Sequence, residues 1–128
     1  MADEIRTSIS FQVSKGGAAI ATGTLSETVD MTGTDLGTLT QDIGTTNEAL
    51  NVPADVSGDV HLTIKNITTE PATPGSEYVE IFKDSGNSHL LGKLWAGEAT
   101  KLTRVPSASL YGKSTTATQK IQFWISEA

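Results

Sequence analysis

The chain has no cysteine. That absence removes a disulfide framework, a thiolate metal site and a cysteine nucleophile together. Stability must then come from packing, backbone pairing and association. Basic residues are scarce and unevenly placed. None lies between Lys15 and Lys65, an interval that holds Glu27, Asp30, Asp35, Asp42, Glu48, Asp55 and Asp59. A net charge of -6 disfavours nucleic acid or an anionic membrane as the main partner. The acidic front half reads as a solvated surface or as one side of a contact with a basic neighbour.

Long apolar runs are missing as well. No stretch approaches the roughly 18 apolar residues of a membrane-spanning helix. Met1-Ala2-Asp3-Glu4 is acidic and no apolar segment follows it, so no export signal is expected. Only two histidines occur, His61 and His89. Asp59 stands two residues before His61 on the same strand face, but a metal site would need further donors from elsewhere, and none is expected. An exposed strand position is the plainer reading of His61. Asp55-Val56-Ser57-Gly58-Asp59 has calcium-loop residue types without an EF-hand's ligand density, and reads as a turn. Nucleophile-elbow, phosphate-loop and dinucleotide motifs are all absent, so no catalytic residue and no cofactor is expected.

Thr, Ser and Gly fill the place that Lys and Glu take in helical proteins, a balance suited to pleated, half-exposed strands. Period-two alternation dominates. Ile5, Thr7, Ile9, Phe11 and Val13 share one face, and Arg6, Ser8, Ser10 and Gln12 share the other. Lys15-Gly16-Gly17 supplies a turn, after which Leu25, Val29 and Met31 continue in phase, so the two segments read as a hairpin. Thr32 to Asn47 is rich in Thr and Gly and has only Leu36, Leu39 and Ile43 as large apolar anchors. It reads as an extended, weakly anchored connection with one short strand near Leu39 to Ile43, either a loop or an arm that a neighbour orders.

From Glu48 onward short strands recur at intervals of about 8–12 residues, the spacing of a sandwich or barrel. They fall at Leu50–Val52, Val60–Ile64, Tyr78–Phe82, His89–Trp95, Thr100–Val105, Leu110–Lys113 and Ile121–Ile125. Glu70 to Ser76 is a loop. The expected fold is all-β, a β-sandwich with jelly-roll or Greek-key wiring, built as one domain over 1–128. The hairpin and connection occupy 1–47 and the sandwich core 48–128. Trp124 alternates out of phase with Ile121, Phe123 and Ile125 and so faces outward or a covering layer. Trp95, beside Ala96-Gly97, caps the core end or offers a stacking platform. Trp124, Trp95, Leu36, Leu39 and Ile43 are therefore the interface candidates.

The later two-thirds of the chain resembles a family of small virion proteins of tailed bacteriophages. The resemblance rests on Ile43-Gly44-Thr45-Thr46-Asn47-Glu48-Ala49-Leu50, Val60-His61-Leu62-Thr63-Ile64-Lys65-Asn66 and Tyr78-Val79-Glu80-Ile81. It continues through Leu94-Trp95-Ala96-Gly97-Glu98, Leu110-Tyr111-Gly112-Lys113-Ser114 and Ile121-Gln122-Phe123-Trp124-Ile125. Pro71-Ala72-Thr73-Pro74-Gly75 stands as a small insertion against that pattern. The resemblance implies a non-enzymatic capsid decoration, or cement, protein on the virion surface, made in the host cytoplasm. Its implied partners are the major capsid protein and copies of itself, as a homotrimer. A tail or fibre component and a carbohydrate-binding module are the alternatives.

Overall fold

A computed structural model describes residues 4–30, 36–69 and 77–128. By contact the chain forms two compact units, residues 1–32 and residues 33–128. The first is the hairpin, β1 (Glu4–Lys15) and β2 (Ala18–Asp30), paired antiparallel along its length. Gly16 and Gly17 form its two-residue turn with φ of 61° and 82°. Two consecutive positive φ values are what a type I′ turn requires, and glycine meets them without steric cost. β2 begins directly after the turn, well before the apolar positions that first suggest it. Met31 lies outside the described residues.

The second unit is a two-sheet sandwich. Its strands are β3 (Leu36–Ile43), β4 (Glu48–Ala49), β5 (Asp59–Asn66), β6 (Tyr78–Phe82), β7 (Leu90–Trp95), β8 (Ala99–Pro106), β9 (Tyr111–Ser114) and β10 (Gln119–Glu127). One sheet runs β3-β10-β5-β8 and the other β4-β9-β6-β7, with every pairing antiparallel. Apart from the β6–β7 hairpin, each successive strand lies in the opposite sheet. That alternation is jelly-roll wiring, two interleaved Greek keys. The all-β sandwich expected from the alternation is the fold observed. The loop expected over Glu70 to Ser76, with its insertion, lies outside the described residues.

The inner faces follow the alternation. Val60, Leu62 and Ile64 of β5 and Ile121, Phe123 and Ile125 of β10 meet Val79 and Ile81 of β6 and Leu94 of β7 in one buried cluster. Each such side chain stabilises the fold by roughly 1.5–3 kcal/mol relative to an exposed position. Gly112 of β9 sits under this cluster because a Cβ there would lie 3.2 Å from Ile43 Cδ1 and 3.4 Å from Leu50 Cδ2.

Three expectations change. The Thr/Gly-rich connection is not weakly anchored over 36–43, because β3 pairs with β10 from Leu36 to Ile43. Ile43 is fully buried and Gln41 nearly so, which ties the strand to the core from within. The strand expected at Leu50–Val52 falls instead on the two residues before it, Glu48–Ala49, and Leu50 adds one further bond, its N–H donating to Leu110 O at 2.9 Å. His61 is buried at 3% exposure rather than exposed. It lies opposite a bulge in β8: Val60 pairs with Val105 but Leu62 pairs with Leu102, so Thr103 and Arg104 together face His61. Arg104 takes φ 55° there, and a bulge of this kind bends its strand and breaks the simple in–out alternation.

Candidate interaction surfaces

The hairpin places its outward-facing chemistry by register. Ile9 pairs with Leu25 and Val13 with Ala21, so these positions share a face. Ile9 is 47% exposed, Val13 46% and Leu25 67%. The opposite face is polar, with Ser8 opposite Ser26, Ser10 opposite Thr24 and Gln12 opposite Thr22. Arg6 Nη2 meets Glu4 Oε2 at 2.6 Å on that polar side, an exposed pair worth little to stability. The ribbon is thus amphipathic yet keeps apolar side chains in water. A two-stranded ribbon alone is marginally stable; three or more strands with an apolar face are the usual requirement.

In the sandwich, β10 projects Trp124 away from the core at 41% exposure. Thr38 of β3 and Thr63 of β5 stand directly beside it, and Lys101 of β8 lies beyond Thr63 in the same row. Lys65 pairs with Gln122 in the neighbouring row, and Lys120 Nζ reaches Asp42 Oδ1 at 3.8 Å. This outer face carries Lys65, Lys101 and Lys120 beside Asp42, with threonines around one large aromatic.

The other candidates take different places. Trp95 is half-buried at the end of β7, its ring 5.0 Å from that of Tyr78 and tilted by 50°. Lys93 Nζ sits 4.8 Å from the Tyr78 ring centre, a cation–π contact on the outer face of the second sheet. Leu39 is partly buried against the core, and Leu36, whose side chain is not among those described, opens β3 opposite Ser126. Ile43 is core and presents no surface, since its phase on β3 points between the sheets. Among the candidates whose side chains are described, only Trp124 offers a broad exposed apolar surface.

A buried polar cluster at one end of the sandwich was not singled out from the sequence. Asn66 is fully buried at the end of β5. Its Nδ2 donates to Leu94 O at 3.0 Å and to Gln119 Oε1 at 2.8 Å, and its Oδ1 accepts from Thr68 N at 3.0 Å. Gln119 Nε2 donates on to Ser114 Oγ at 2.9 Å, and Ser114 Oγ bonds Ala117 O. The Asn66 backbone holds the corner between β7 and β8, accepting from Gly97 N at 2.8 Å and donating to Glu98 O at 2.9 Å. Gly97 turns that corner with φ 84°, and Glu98 Oε2 accepts from Trp95 N at 3.0 Å. The signal was present: Asn66 and Gln119 occupy positions that the alternation assigns to the core. Polar residues there must find partners or destabilise the fold. Their role is to fasten strands of both sheets, which is structural.

The loops carry their own locks. Asp84 accepts from Ser88 N at 3.0 Å, Ser88 Oγ at 2.7 Å and His89 N at 2.8 Å. Hydrogen bonds from Ser88, then from His89, hold the Asp84 carboxyl down at about 2. His89 Nδ1 lies 3.5 Å from Asp84 Oδ1, and that proximity acts in the same direction. The Asp55–Asp59 run is a turn: Val56 N donates to Pro53 O at 3.0 Å and Ser57 N to Glu127 Oε1 at 2.9 Å, with Gly58 at φ 68°. Among the described residues no group of three or more His, Asp or Glu is placed to hold a metal ion. Compared with known proteins, the chain matches no family model, no curated protein and no solved structure.

Proposed function

We propose that this chain is a structural protein of a tailed-phage particle, a capsid decoration protein that binds the outer surface of the assembled shell and bridges capsomers. The observation that carries this reading is the build of the molecule. A self-sufficient jelly-roll sandwich is joined to an amphipathic ribbon whose Ile9, Val13 and Leu25 remain exposed. A ribbon of that kind gains stability only by association, so the sandwich serves as the body and the ribbon as a means of attachment. Trp124 gives the body a second contact, since tryptophan is among the residue types most enriched at interface anchors and this one is half-exposed.

The resemblance to small virion proteins supports the same reading. The segments that carry it meet in the fold: Asn66 at the end of one, Gly97 and Glu98 in another, and Ser114 in a third are all joined to the polar cluster at one end of the sandwich. The major capsid protein, and further copies of this chain, are the partners proposed. The test is direct. Purified protein added to shells assembled without it should bind saturably, and it should ignore free capsid subunits. Failure to bind such shells would overturn the reading.

A further inference from the structure

We propose that the outer edge of β1 pairs with the same edge of a second copy of this chain, antiparallel and centred on Ile9. The two hairpins then form one four-stranded sheet in the order β2-β1-β1-β2. The argument begins with how the edges of this protein are protected. Exposed strand edges recruit other chains unless they are short, charged, bulged or interrupted by proline. Every outer edge of the sandwich carries such a device. β4 is two residues long and includes Glu48. β7 has an extra residue at Leu91 and carries Lys93. β8 holds Lys101, the bulge at Thr103–Arg104 and Pro106. β3 contains Gly37 and Asp42, both disfavoured in strands.

The hairpin does the opposite. Among the described residues no third strand pairs with β1 or β2. From Thr7 to Ser14, β1 has no charged residue, no proline and no glycine. Val13 pairs with Ala21 and Ser14 with Ala19, so the irregularity falls on β2, where Ile20 is the extra residue. β2 also contains Gly23. β1 is therefore the regular edge and β2 the interrupted one, which selects β1 as the strand that recruits.

The occupant follows from register and charge. In an antiparallel pair, residues directly opposite share a face. Centring the pair on Ile9 sets Ile9 against Ile9 of the other copy, position 5 against Val13, and position 7 against position 11, which joins the two apolar faces. On the polar side Arg6 meets Gln12, Ser8 meets Ser10 and Glu4 meets Ser14, so no like charges oppose each other. A register centred on Ser10 would instead set Lys15 against position 5, and registers between residues would set apolar positions against polar ones. Pairing two copies supplies the further strands that an isolated ribbon lacks. The inference does not rest on the shell reading, because the pairing forms in solution without capsid.

The absence of cysteine makes the test clean. Directly opposite Cα atoms across an antiparallel pair lie about 4.5–5.5 Å apart, within the span of a disulfide. Ile9→Cys in the full chain should oxidise to a covalent dimer, while Leu25→Cys should stay uncrosslinked. The two Leu25 positions would lie three strand spacings apart, roughly 14 Å. Sedimentation of the unmodified chain at millimolar concentration should give an even-numbered species. Ser8→Lys with Ser10→Lys, which places lysine against lysine, should return it to half that size with the sandwich melting transition unchanged. An unmodified chain that sediments as a monomer or trimer overturns the proposal. So does crosslinking through position 25, or a double-lysine variant that keeps the native size.

Discussion

Replacing Asn66 by alanine removes a side chain that no water can substitute for without entering the sandwich. Asn66 is fully buried and makes three hydrogen bonds, to Leu94 O, Gln119 Oε1 and Thr68 N. Truncation strands Gln119 Oε1 and Thr68 N and weakens the hold on Leu94 O. Each buried group left unsatisfied costs about 1–3 kcal/mol. Leu94 O also lies within the β6–β7 ladder, so the loss centres on the other two groups and should total ~3 kcal/mol. Asn66→Asp keeps the shape but replaces the Nδ2 donor by a carboxylate oxygen that faces two acceptors, Leu94 O and Gln119 Oε1, and adds a buried charge. Gln119 cannot rescue it by turning its amide, because its Nε2 would leave Ser114 Oγ. Burial among acceptors raises the new carboxyl's folded pKa above its unfolded value. That variant should therefore approach the alanine variant's stability in acid and lose further stability as pH rises through the raised value. Urea unfolding followed by tryptophan fluorescence reads both effects, since Trp95 and Trp124 lie in the sandwich unit. An Asn66→Ala variant within about 0.5 kcal/mol of the parent, the range of an ordinary surface substitution, would refute the claim that this cluster fastens the sandwich.

Four shorter predictions accompany it. Asp84 should titrate near 2 by carboxyl NMR; its contribution to the 84–89 loop is fully present above the ordinary value of 3.8 and fades as pH falls toward about 2. Gly112→Val should destabilise by about 1–3 kcal/mol in thermal or urea unfolding, because its side chain would press on Ile43 and Leu50. Trp124→Ser should weaken binding to shells far more than it lowers the melting temperature, and equal losses would show that Trp124 acts in folding instead. Phe123→Ala, from the middle of β10, should cost about 3–5 kcal/mol and serves as the core reference for these values.

The alternation of Val60, Leu62 and Ile64, and of Ile121, Phe123 and Ile125, was enough to read the inner strands, because each has one buried face and one open face. The Gly16-Gly17 turn was equally legible, since only glycine accepts two consecutive positive φ values without strain. β3 is legible only in part. The sequence reads a short strand near Leu39 to Ile43, whereas Gly37 and Thr38 read as connection and join the strand because β10 offers them an edge, a decision made by tertiary pairing rather than local propensity. His61, an exposed position by alternation, is buried in the fold opposite a bulge at Arg104, a non-glycine residue at positive φ that nothing in the local sequence announces. The sites divide the same way. Trp124 is legible from its phase, whereas Ile43, an arm anchor by its sequence neighbours, belongs to the core because β3 is paired along its length.

The claim that this chain decorates a shell is tested most directly by counting it in the particle. Image reconstruction of particles carrying the chain, beside reconstruction of particles lacking it, should show its density repeated over the capsid lattice, at a copy number comparable to that of the major capsid protein. Density confined to a single vertex, or unchanged between the two particles, would contradict it.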